Sequence, residues 1–213
     1  MEIKYLGHSS FLIRTKTARI VTDPFDAKMV GLKFPRVEAD IVTISHHHKD
    51  HDGGLSQIDG NPTVFDWPGQ FEKNGVRIWG YRTFHDKAEG KERGENIMYK
   101  FEADGISVLH CGDLGLVPEN AFLDEVGDVD VIFVPVGGYY TIDAQEAIEV
   151  VKKAEPSIVI PMHYGYKDGG IKELAPLSDF LKKIGVENAV PQDKLIVKPE
   201  ELEEEMKVVV LKS

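Results

Sequence analysis

Cysteine is almost missing from this chain of 213 residues: Cys111 stands alone, so no internal disulfide can form. That usage suits a reducing compartment. Long apolar runs are missing too. The longest are strand-sized pieces such as Val131-Ile132-Phe133-Val134, far short of the ~20 residues that cross a bilayer. The opening Met1-Glu2-Ile3-Lys4-Tyr5-Leu6 enters a strand pattern at once, with neither a basic region nor an apolar signal core, and predicts a cytoplasmic protein without a membrane span. Positive charge is in deficit, with 25 Lys and Arg against 36 Asp and Glu, a formal charge of −11. This balance disfavours nucleic acid as a partner, because non-specific affinity for phosphate backbones comes from cationic patches. A small-molecule substrate, anionic or not, stays open. No short-period repeat and no low-complexity linker interrupts the chain, and no Gly-x-Gly-x-x-Gly follows an opening strand, which argues against a Rossmann sheet. What remains is ordinary globular material, 42% hydrophobic and 29% charged, long enough to bury a core and predicted to form one domain over residues 1–213.

The first half is strand-rich. β-branched and aromatic runs predict strands at Ile3 to Tyr5, Phe11 to Arg14, Ile20 to Thr22, Ile41 to Ile44, Thr63 to Phe65, Val76 to Tyr81, Ile97 to Phe101 and Ile106 to Cys111. Helices come later. Pro118-Glu119 opens a short one ending near Val126, before a strand from Val129 to Val134. Asp143 is an N-cap for a helix from Ala144 to Ala154 that Pro156 stops, a strand follows at Ser157 to Ile160, and Leu177 to Ile184 is amphipathic. The Glu201 to Glu205 run reads as a solvated connection and Lys207 to Lys212 as a terminal strand. Antiparallel strands followed by strand–helix alternation predict sheets and helices layered on one core, an α/β sandwich.

Histidine is also scarce, eight in all, yet four fall in His46-His47-His48-Lys49-Asp50-His51. Neutral imidazoles and a carboxylate at that density point to metal binding. In an extended stretch side chains alternate, so His46 and His48 face one way and can share an ion while His47 faces the other. Asp50 and His51, past that stretch, turn away and can hold a second ion. The interposed Lys49 and Asp50 and the following Gly53-Gly54 turn distinguish this segment from a chelating tag.

His46-x-His48-x-Asp50-His51 resembles the metal-binding signature of the metallo-β-lactamase superfamily. The resemblance runs from about residue 1 to 165 and implies a four-layer αββα sandwich. That family's further ligands recur in order at strand ends, which implies His85, Asp113 in His110-Cys111-Gly112-Asp113-Leu114-Gly115, and His163 in Pro161-Met162-His163-Tyr164-Gly165. By this carry-over His46, His48 and His85 make one site and Asp50, His51 and His163 the other, with Asp113 between them. His110 is a rival to His85, since it too ends a strand; a histidine at a core edge, bonded near the site, is its plainer reading. Tyr5-Leu6-Gly7-His8-Ser9-Ser10-Phe11 and Val21-Thr22-Asp23-Pro24-Phe25 resemble the opening of compact relatives, ascorbate-6-phosphate lactonase and N-acyl-phosphatidylethanolamine phospholipase D. Asp23 is expected to accept a ring N–H from a ligand histidine, and His8 to lie near the metals or the substrate.

The expected chemistry is metal-dependent hydrolysis of a small ester, lactone or phosphodiester, anionic or not, by a hydroxide shared between two divalent cations, with Asp50 and Asp113 orienting the nucleophile. Zinc suits the nitrogen-rich donor set, and manganese or iron are the alternatives. Asn96 and the tyrosines of Gly137-Gly138-Tyr139-Tyr140-Thr141 are candidates to contact substrate or its developing oxyanion. Lys87, Lys91 and Arg93 belong to a charged stretch from Asp86 to Asn96 that reads as a solvated loop or an anion site. Position 48 is His where flavin-linked di-iron reductases have Glu, which argues against oxygen reduction. Two competing readings are a nuclease acting on RNA or DNA, which the acidic balance opposes, and a metal-binding protein without turnover.

Overall fold

The computed structural model describes residues 1–202 and 205–213. The chain runs through β1 (Glu2–Gly7), β2 (Ser10–Arg14), β3 (Arg19–Thr22), the single-turn α1 (Ala27–Val30), β4 (Val37–Glu38), β5 (Ile41–Thr43), the single-turn α2 (Lys49–Asp52), β6 (Ile58–Asp59) and β7 (Thr63–Phe65). Next come β8 (Gly69–Lys73), β9 (Val76–Phe84), β10 (Glu95–Ala103), β11 (Ile106–His110), α3 (Asn120–Val126), β12 (Val131–Pro135), α4 (Ala144–Ala154), β13 (Ile158–Met162), α5 (Leu177–Ile184), β14 (Leu195–Ile196) and β15 (Lys207–Val208). One sheet has the order β14-β1-β2-β3-β5-β7, the other β15-β13-β12-β11-β10-β9-β8, and β4 pairs with β6.

The two sheets share one apolar core. Ile3, Phe11, Ile13 and Ile20 from the first meet Ile78, Phe101, Val108 and Phe133 from the second. Phe11 and Phe133 stack across this interface with ring centroids 3.9 Å apart. On the far side of the second sheet lie α3, α4 and α5. Helix α4 forms where expected because Asp143 accepts from the N–H groups of Gln145 and Glu146 while the Glu146 carboxylate accepts from the Asp143 N–H, a reciprocal cap. Its apolar stripe of Ala147, Ile148 and Val151 is buried, and Glu155 ends it in the left-handed region just before Pro156. The outer face of the first sheet is covered differently. Phe34, Val37, Leu55 and Ile58, from connecting segments and the β4–β6 ribbon, pack on Leu6, Leu12, Val21 and Val42.

Three expectations need correction. The terminal strand is only Lys207–Val208, because after Val209, whose N–H still donates to Val159 of β13, the backbone pairs with Gln192 instead. Helix α3 starts at Asn120, with Pro118 outside it. Strand β9 runs on to Phe84, so His85 follows it directly. Of the acidic run 201–205, residues 203 and 204 lie outside the described residues. Among the described residues, no helix is long and apolar enough to cross a membrane.

Strand direction explains where chemistry collects. β1 and β3 each run antiparallel to β2, and β5 runs parallel to β3, so these three strands end on one side. In the second sheet β9 and β11 flank antiparallel β10, while β12 and β13 continue parallel to β11. His8, Asp23, His46, His85, Asp113 and His163 each lie within three residues beyond the C-terminal end of one of these strands. Carboxyl ends of strands are where α/β sheets place their ligands, since the connecting loops there are free to carry function.

Candidate metal centre

Three groups of donors form at this end of the sandwich, the donor atoms of each lying within 4.8 Å of one another: His46, His48 and His85; His8, Asp50, His51 and His163; and His46, His51 and Asp113. The Asp113 Oδ2 is the hub. It lies 3.2 Å from His51 Nε2, 3.2 Å from His163 Nε2, 3.4 Å from His85 Nε2 and 4.0 Å from His46 Nε2. His85, the favoured partner of His46 and His48, is in the cluster. His110 is outside it: its Nε2 donates to the Ser9 carbonyl at 2.8 Å, as the plainer reading of that residue expected. His47 points away to half-buried Asp52 and Asp66, as expected.

The donors fit a cation. Buried polar atoms are nearly always hydrogen-bonded, yet His8 Nε2, His46 Nε2, His51 Nε2, Asp113 Oδ1 and both ring nitrogens of His163 are buried without a hydrogen-bond partner. A crowd of buried, unpartnered imidazole nitrogens around a carboxylate is costly unless an ion satisfies it. The backbone is strained here as well, with His8, Asp23 and His163 all at positive φ (56°, 39° and 52°).

Asp23 sets the orientation of two donors at once. Its Oδ2 accepts from His51 Nδ1 at 2.8 Å and from the Ser45 hydroxyl at 2.6 Å, while its Oδ1 accepts from the Ser45 N–H at 2.7 Å. With its proton committed to Asp23, the Ser45 Oγ accepts from His46 Nδ1 at 2.9 Å. Both histidines are thereby held with Nδ1 protonated and the Nε2 lone pair turned to the cluster. Ser45 in this role has no signal in the sequence beyond its place before His46. For Asp23→Asn we expect metal affinity to fall ~10- to 100-fold, read by chelator competition. Unchanged affinity would show that packing alone fixes the rings.

Electrostatics favour the ligand forms of His8, His46, His85 and Asp113, while His51, flanked by two carboxylates, holds its proton until a cation replaces it. Burial and the neighbouring His163 lower His8 to about 4. Burial and His51 hold His46 well below the ordinary imidazole value, and burial lowers His85. Burial opposes charge on His51, but Asp113 and Asp23 on either side outweigh it and push its pKa well up. For Asp113, burial would raise the carboxyl, and the charges of His163 and His51 overcome it and hold it well below the carboxylate range.

Supporting contacts are equally specific. Asn96, a candidate for substrate contact, is wholly buried and spends its polar atoms inside the protein. Its amide donates to Thr83 Oγ1 and the Cys111 carbonyl, and its Oδ1 accepts from the Asp113 N–H at 2.9 Å. It braces Asp113. A Cβ on Gly112 would come within 2.3 Å of that same Oδ1, which is why glycine precedes the aspartate. Tyr139 is 67% exposed and outside the cleft, whereas Tyr140 lines it. That cleft, about 530 Å³, is bounded by His48, Asp50, His85 and Asp113 on one side and by Met29, Arg93, Tyr140 and Ile171 around its mouth. The Arg93 guanidinium lies over the Tyr140 ring at 4.6 Å. Lys87 pairs instead with Glu146, and Lys91 with Glu89. The loop carrying Arg93 is ordered by Asp86, whose carboxylate accepts from the N–H groups of Ala88, Gly90, Glu92 and Arg93.

Comparison with known proteins agrees with this architecture. The Beta-lactamase superfamily domain matches residues 2–163. A UPF0173 metal-dependent hydrolase of Thermococcus onnurineus is 30% identical over 190 residues, covering 77% of this chain and 84% of the relative. A crystal structure from Thermotoga maritima, named as a Zn-dependent hydrolase of the metallo-beta-lactamase superfamily, superposes with a TM-score of 0.80 at 41% identity, over 99% of this chain and 97% of that one. Igni18, a metallo hydrolase of Ignicoccus hospitalis, shares the fold at a TM-score of 0.65 and 23% identity, over 92% of this chain and 99% of its own. The chain belongs to the metallo-β-lactamase superfamily, and within it is a metal-dependent hydrolase. The narrower likeness to ascorbate-6-phosphate lactonase and N-acyl-phosphatidylethanolamine phospholipase D rests on the two opening motifs alone.

Proposed function

We propose that this protein is a two-cation hydrolase, with zinc the fitting metal, acting in the cytoplasm on a small ester, lactone or phosphodiester that carries an anionic group. The observation that carries this reading is the set of buried, unpartnered donors around Asp113 at the floor of an open cleft. His46, His48 and His85 would hold one ion and Asp50, His51 and His163 the other, with Asp113 between. A bound pair of divalent cations supplies an acidified water and an electrophilic partner for the scissile carbonyl or phosphoryl oxygen.

The chain's own groups do the rest. Asp50, 13% exposed at the side chain and facing the cleft, is placed to orient the attacking water and take its proton. Asp113 is held by Asn96 and cannot swing away. Met29, Tyr140 and Ile171 offer an apolar wall to the body of the substrate and keep water from its flank. Arg93 at the mouth makes no ion pair among the described residues and is available to an anionic tail.

Protein purified without a tag should contain two ions per chain by elemental analysis. Reloaded with zinc, it should hydrolyse at least one class among lactones, aryl esters, thioesters and bis-aryl phosphodiesters, leave single-stranded RNA intact, and lose activity to a chelator. Fewer than two ions in saturated protein would sink the two-cation assignment. Two ions without turnover of any substrate would turn the reading to a non-catalytic metal protein.

A further inference from the structure

His8 is the group in this region that the ligand assignment leaves unused, and its surroundings are those of a ligand. The side chain is 1% exposed, its Nε2 has no hydrogen-bond partner, and that atom falls in one donor group with Asp50, His51 and His163. The distance to Asp50 Oδ2 is 3.4 Å. An N–H···O hydrogen bond settles at ~2.7–3.2 Å, whereas neighbouring ligands on one ion with bonds of ~2.0–2.1 Å stand about 2.9–3.6 Å apart. The spacing therefore matches a shared ion better than a direct bond.

The backbone is built to aim this ring. His8 sits at φ 56°, and its carbonyl accepts from the Tyr5 hydroxyl at 2.6 Å and from the His163 N–H at 2.8 Å. Two hydrogen bonds thus hold an unfavoured conformation in place. The ring lies 4.3 Å from that of His163, centroid to centroid, and 5.2 Å from that of His51. His8 and Ser9 are the turn between β1 and β2, so an opening hairpin is delivering a side chain to a cluster built mainly by later strands.

We infer that His8 is a direct metal ligand, joining Asp50, His51 and His163 at one cation, and that the two cation positions are consequently unequal. With Asp113 shared between them, the position that includes His8 has five protein donors and the other four, and each added protein donor leaves less room for water or substrate. His46, His48 and His85 make the less crowded position, and His48 is exposed at the cleft. Substrate accordingly engages the position held by those three residues, and the His8 position anchors the hub aspartate and the fold around it. This inference rests on the two-cation reading of the site.

The test uses full-length protein, labelled with ¹⁵N-histidine and loaded with ¹¹³Cd, together with a His8→Asn variant; asparagine tolerates the left-handed backbone that His8 adopts. One-bond cadmium coupling is expected at a ring nitrogen whose signal disappears in His8→Asn. Chelator competition should show one cation weakened by more than the ~10- to 100-fold that loss of a merely supporting hydrogen-bond partner costs, and the other little changed. An uncoupled His8 ring, with both cations within that smaller range, overturns the proposal and leaves His8 as a neighbour of Asp50. If the wild-type protein takes up a single cadmium, the two-cation reading fails on its own account. Coupling of His8 to that one ion still decides whether it is a ligand.

Discussion

Asp113→Ala should lose at least one of the bound cations and hydrolyse substrate about a thousandfold more slowly or worse, a barrier increase of roughly 4 kcal/mol. Asp113 Oδ2 is within 3.2–4.0 Å of four imidazole nitrogens contributed by three different loops. Alanine removes the carboxylate that the proposed two-cation site shares between its positions and leaves those rings facing a void. Asp113→Asn keeps the volume but not the charge, and is expected to follow alanine in metal content while folding more like the wild type. Elemental analysis and steady-state rates on the same preparations read both quantities. Full metal occupancy in either variant would contradict a bridging role.

The largest effect on stability is expected far from the cleft, at Phe133→Ala. Phe133 is fully buried on β12, stacks on Phe11 across the sheet interface, and meets the edge of His110 at 6.1 Å. Truncating a buried phenylalanine costs ~3–5 kcal/mol, and losing the ring pair belongs to that loss. For a domain of this size the melting temperature should drop by roughly 10 °C. The measurement belongs on metal-free protein, because bound ions stabilise the folded state by mass action and would mask part of the change. A drop under a few degrees would mean that the sheets close over the cavity.

Much of the side-chain cluster was legible in the sequence because its donor residues are chemically distinctive and fall at strand ends. His46, His48, Asp50 and His51 are a dense local signal, and Asp113 and His163 follow apolar β-branched runs that could only be strands. The ambiguity between His85 and His110 was physical: both end strands, and the choice depends on β9 running on to Phe84, through Arg82 and Thr83, whose polarity hides the strand. β8, with its alternating Gln70, Phe71, Glu72 and Lys73, was missed for a related reason, since an exposed edge strand need not be apolar. β14 and the β4–β6 ribbon are two residues long and have no periodicity to detect. Contacts between distant segments carried no signal at all. Nothing local to Asn96 says that it braces Asp113, and nothing local to Met29 or Ile171 says that they meet Arg93 and Tyr140 around one opening. Helix α4 stands at the other extreme, its ends written in Asp143, Glu146 and Pro156.

The way Asp86 organises the loop after β9 bears on how such an enzyme could change its diet. Four main-chain N–H groups converge on a single carboxylate, so the loop's path is specified by its backbone and one acid. The letters at 91 and 92, both exposed, can drift with little penalty. Because His85 is adjacent to that acid while Arg93 is at the far end of the loop, selection can redraw the rim without disturbing the reaction centre. A library randomised at Arg93, which lines the cleft, and at its exposed neighbours 91 and 92, with Asp86 retained, is the natural starting point for retargeting it.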